Sequence, residues 1–112
     1  MTPARFRQLA LALPEAEEGA HQDHPDFRLR RKIFATLAPD GLHGVLKLLP
    51  DQQREQIALA PEVFSAVPGG WGEKGYTRVL LKKAKKAEVA PAMALAWLNV
   101  APKTLARRYQ VD

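Results

Sequence analysis

A chain of 112 residues has the length of one ordinary domain, so a single domain over residues 1–112 is expected. Its 46% hydrophobic and 26% charged residues belong to a globular protein and argue against disorder, and with no cysteine it can form neither a disulfide framework nor a thiolate metal site. The net charge of +5 is unevenly spread: residues 1–27 hold two arginines and five acids, whereas residues 74–112 hold nine Lys and Arg against Glu88 and Asp112, a polarity that suits a polyanion partner.

Thr2-Pro3 supplies a hydroxyl cap and a proline at the first helical position. Phe6, Leu9, Ala10 and Leu13 then recur at helical spacing, which predicts an amphipathic helix over 2–13 that ends at Pro14. Arg5 and Arg7 interrupt any apolar run at the start, and no window approaches the ~18 apolar residues of a membrane span. A cytoplasmic protein with no membrane partner is the expectation.

From Glu17 to Leu49 the period falls to two. Residues 26–30 form a strand with Phe27 and Leu29 on one face and Arg28 and Arg30 on the other, and Arg31-Lys32 marks the tip of a tight connection. Residues 33–37 form a second, more buried strand, and Pro39-Asp40-Gly41 is a turn. The next strand, 42–48, sets Leu42, Leu46 and Leu48 against His43, Val45 and Lys47. A short helix follows over roughly 50–60, then a strand or extended loop over 62–67. Pro68-Gly69-Gly70 breaks the chain, and residues 76–81 form a clear strand. A last helix over about 88–100 carries Val89, Met93, Ala96, Trp97 and Val100 on one face, with Pro91 in its first turn, and residues 103–109 add a further turn. The fold class is therefore α+β: an antiparallel sheet with the N- and C-terminal helices packed on one face.

Gly70-Trp71-Gly72-Glu73-Lys74-Gly75 matches G-x-G-x-x-G. A dinucleotide site needs the glycines to open a helix, whereas here they lead into a strand, so a conformational role beside Trp71 is expected. His21 and His24, with Glu17, Glu18, Asp23 and Asp26 nearby, raise the possibility of a metal site. In a strand or loop, residues three apart point to opposite faces, so these are read as surface histidines, with no metal and no cofactor. Ser65 lies in no nucleophile motif and nothing pairs two carboxylates in a cleft, so the chain reads as a binding module and not an enzyme.

The basic segments are the strongest functional signal. Arg28, Arg30, Arg31 and Lys32 decorate a hairpin, Lys74 sits in the glycine segment, Arg78 points outward, and Lys82, Lys83, Lys85 and Lys86 follow a strand. Cations on strand tips and loops contact phosphates and release counterions, so these ten residues are the candidate DNA-binding set. Trp71 and Tyr76, if exposed, suit stacking on bases. The alternative is a protein-interaction or small-ligand module on the Gly70–Tyr76 segment, its protein partner unknown.

Several stretches together resemble the MmcQ/YjbR family of small bacterial proteins. They are Leu11-Ala12-Leu13-Pro14, Phe27-Arg28 with Lys32-Ile33-Phe34-Ala35, Leu46-Lys47-Leu48, Asp51-Gln52-Gln53 and Pro61-Glu62-Val63-Phe64. The likeness continues through Gly70-Trp71-Gly72, Gly75-Tyr76-Thr77-Arg78-Val79, Trp97 and Val100-Ala101-Pro102-Lys103, and so covers nearly the whole chain. The resemblance implies a CyaY-like α+β fold and DNA binding through a double-wing arrangement, with no catalytic residues to carry over. Frataxins, which share that fold, bind iron through an acidic first helix. Here that helix carries Arg5 and Arg7 and no acid before Glu15, which does not support iron handling.

Overall fold

The computed structural model describes residues 1–21 and 24–110. The Thr2 hydroxyl accepts the Arg5 amide at 3.1 Å and Pro3 occupies the first turn, and together they start α1 (Pro3–Leu11). Four strands follow: β1 (Ala16–His21), β2 (His24–Leu29), β3 (Lys32–Leu37) and β4 (His43–Lys47). After them come α2 (Pro50–Leu59), β5 (Phe64–Ala66), the single turn α3 (Gly70–Glu73) and β6 (Tyr76–Leu80). A 3-10 turn (Leu81–Lys83) leads to α4 (Lys86–Val100) and α5 (Lys103–Gln110). Gln52 and Glu88 each reach back to accept the amide before their helix, from Leu49 and Lys85.

All pairings are antiparallel, in the order β1-β2-β3-β4-β6-β5; short connections join β1 through β4, whereas β6 reaches β4 only after α2, β5 and α3. Helices α1 and α4 cover one face. There Phe6, Val89, Met93 and Trp97 meet Phe27, Leu29, Leu46 and Val79, all fully or almost fully buried. Trp97 Nε1 donates to the Pro14 carbonyl at 3.0 Å, which satisfies the indole inside the core. Among the described residues no helix is long and apolar enough to cross a membrane.

Four local expectations are corrected. The tip of the β2–β3 hairpin is Arg30-Arg31 and not Arg31-Lys32: Leu29 pairs with Lys32, and the two arginines take φ of 49° and 73°. Positive φ at both central residues matches the twist of the flanking strands, so geometry overrides residue preference here. Leu42 lies outside β4 and is 57% exposed, because the strand starts at His43. The glycine segment forms the helical turn α3 before β6 begins. Helix α4 starts at Lys86, so Pro91 lies inside it and not in its first turn.

Candidate functional site

The face of the sheet away from α1 and α4 forms an open trough of about 870 Å³. Strand alternation explains its lining. In β4 and β6, Gly44, Leu46, Thr77 and Val79 turn to the core, which leaves Val45, Lys47, Tyr76 and Arg78 on the other face. Ile33, Thr36, Val45 and Val67 form a half-exposed floor. His21 and His24 stand at one side, Trp71 and Tyr76 at the other, and Arg31, Lys32 and Lys47 complete the rim. Among the described residues no carboxylate lines this trough, and none is ion-paired with Arg31, Lys32, Lys47 or Lys74.

Turn α3 sets the aromatic wall. A side chain at Gly72 would strike the Val67 carbonyl at 1.9 Å, and Gly75 takes a φ of 108° against the Leu48 carbonyl. These two glycines let the segment fold tightly back on β6, the conformational role expected of them. Trp71 is 56% exposed, its ring centroid lies 5.1 Å from that of Tyr76, and Lys74 Nζ sits 4.8 Å from the indole centroid. The platform is an aromatic pair carrying a cation.

The ten basic residues marked in the sequence fall into three groups. Arg28 and Arg30 are engaged: Arg28 grips Asp26 at 2.6 and 2.9 Å, and Arg30 grips Glu15 at 3.0 and 3.3 Å. Arg31 and Lys32 line the trough, Lys74 rests on Trp71, and Arg78 is half-buried with Nε 3.4 Å from the Ser65 hydroxyl. Lys82, Lys83, Lys85 and Lys86 are exposed but follow the far end of β6 from Tyr76, and none lines the trough. Lys47 is a trough cation absent from that set, although alternation with Leu46 and Leu48 had already placed it, together with Val45, opposite the core leucines.

The histidines also need correction. His21 and His24 are cross-strand partners closing the β1–β2 hairpin, with ring centroids 4.4 Å apart, so they come together instead of facing apart. His21 Nδ1 lies 2.7 Å from Asp26 Oδ2, and the Asp26 side chain is fully buried. A side chain at Gly19, which pairs with Asp26, would meet Arg28 Nε at 2.9 Å, so glycine leaves the space the guanidinium fills. The Arg28 hydrogen bond holds the Asp26 carboxyl below its ordinary range, overcoming desolvation, with His21 assisting. Among the described residues no group of three or more His, Cys, Asp or Glu is placed to hold a metal ion, and Asp23 lies outside those residues.

A protein-family model described as YjbR matches residues 11–99. The crystal structure of Deinococcus radiodurans protein DR2400, described with the domain name DUF419, superposes with a TM-score of 0.73 at 18% identity, covering 99% of this chain and 89% of that one. At that identity the likeness shows the fold. No curated protein matches the chain.

Proposed function

We propose a function for this chain, which belongs to the YjbR family: it is a non-catalytic DNA-binding protein that meets phosphates with the cations around the open face of its sheet. The observation that supports this reading is the trough itself. Arg31, Lys32 and Lys47 surround it, and among the described residues no carboxylate lines it to repel an anion. Lys82, Lys83, Lys85 and Lys86 offer a second, separate patch that a longer nucleic acid reaches by passing the end of β6. Arg28 and Arg30 contribute less, because each guanidinium already gives two hydrogen bonds to a carboxylate.

Fluorescence anisotropy of a labelled oligonucleotide at two salt concentrations tests the proposal. Binding should fall steeply as salt rises, since each neutralised phosphate releases counterions. Arg31→Glu, Lys32→Glu and Lys47→Glu combined should remove most of the affinity, and reversing the four lysines at 82–86 should weaken the salt dependence. Absence of binding at low salt refutes the reading. The exposure of Trp71 favours one alternative, a protein or small-ligand surface on Gly70–Tyr76. Its binding would be insensitive to salt and to the charge reversals.

A further inference from the structure

We infer that the trough selects single-stranded nucleic acid by stacking an unpaired base on Trp71. This inference rests on the nucleic-acid reading above and adds to it the form of the ligand. The two tryptophans make the contrast. Trp97 is 0% exposed and its Nε1 is satisfied by Pro14, whereas Trp71 leaves 56% of its surface in water. The Trp71 ring is nonetheless held in place, by Tyr76 on one flank, by Lys74 against its π-system, and by a backbone that Gly72 and Gly75 fold tightly. An exposed, pre-positioned indole loses little freedom when a flat partner lands on it.

The rest of the lining matches the other parts of a nucleotide. The apolar floor of Ile33, Val45 and Val67 suits a base face, and His21, His24 and Thr36 bring polar atoms for a base edge. Arg31, Lys32 and Lys47 provide the charge for phosphates. The volume of about 870 Å³ falls in the roughly 300–1,000 Å³ range of sites that enclose a ligand of drug size. That space suits a short run of strand. A duplex keeps its base faces stacked inside itself and cannot present them to an indole, so it gains from the cations alone.

Tryptophan fluorescence supplies the test, because Trp97 is shielded and a quench on binding reports Trp71. The intact protein is titrated with an oligothymidine strand and with a duplex of equal phosphate number. Expected are quenching by the single strand, a preference of about tenfold or more over the duplex, and a loss of about tenfold or more in single-strand affinity for Trp71→Ala. The variant should keep its duplex affinity and stay folded, with a melting temperature within a few degrees of the parent's, and Trp71→Phe should recover part of the loss. Salt-sensitive binding of both forms with equal affinity, no quench and no effect of Trp71→Ala would overturn this inference while leaving the phosphate-contact proposal standing. If neither form binds, both fall.

Discussion

On the helix-covered face of the sheet, Phe27, Leu29, Leu46 and Val79 have lost all contact with water. On the open face, Ile33, Thr36, Val45 and Tyr76 stay half-exposed beside Lys47 and Arg78. The same strands serve both faces, so the covered side alone is enough to specify their positions. The open side is left free to carry charge and aromatic surface. In this small domain, the buried core and the open, charged surface are divided between alternate residues of single strands.

The sharpest test of that division is Trp97→Ala. Removing the largest core side chain and its bond to Pro14 should cost about 3–5 kcal/mol and lower the melting temperature by roughly 15 °C or more. Trp71→Ala, which gives up only its contacts with Tyr76 and Lys74, should change stability by about 1 kcal/mol or less. If thermal unfolding shows the two substitutions to be equivalent, the division of labour fails.

Asp26 sits where the two regions meet and gives an intermediate effect. Asp26→Asn leaves Arg28 without its partner carboxylate. It should lower the melting temperature measurably but by less than Trp97→Ala, because the Arg28 side chain remains 35% exposed and water screens the loss. The pH sign follows from the lowered pKa. The contribution is fully present above the ordinary aspartate value of 3.8 and is lost as pH falls through the lower folded value. Melting temperatures measured from neutral to acid pH should therefore drop more for the parent protein than for Asp26→Asn, and parallel curves would remove Asp26 from this role.

The smallest effect on folding belongs to Lys47→Glu, which should leave unfolding within ~0.5 kcal/mol of the parent. Its effect should appear in nucleic-acid affinity and salt dependence instead. A destabilisation on the Trp97 scale would mean that the open face is structural after all.

Most of this architecture could be read from the residues. The stripe of Phe6 and Ala10 in α1, the alternation of Phe27 and Leu29, and the apolar face holding Trp97 each follow from the period of one element. The trough depends on register, which no single element encodes. Alternation says which face Lys47 takes, but not that Tyr76 lies opposite it in β6. Likewise, spacing along the chain set His21 and His24 apart, whereas the hairpin pairs them across two strands. The burial of Asp26 depends on Gly19 and Arg28 arriving from different places in the chain. The cations at 82–86 were conspicuous because they are contiguous, whereas those of the trough come from the β2–β3 connection and two strands.

The corner at Arg30-Arg31 has a bearing on how this chain tolerates change. Both residues are held in the left-handed region, at roughly 1–2 kcal/mol each for a side chain with a Cβ, where asparagine and glycine would rest at ease. Glu15 returns a little of that to Arg30 through an exposed pair, while Arg31 stands at the mouth of the trough. Heat tolerance and the charge at that mouth therefore pull this corner in opposite directions. A lineage selected for stability alone has one of its easiest gains here, and would take it by surrendering cations at the edge of the site.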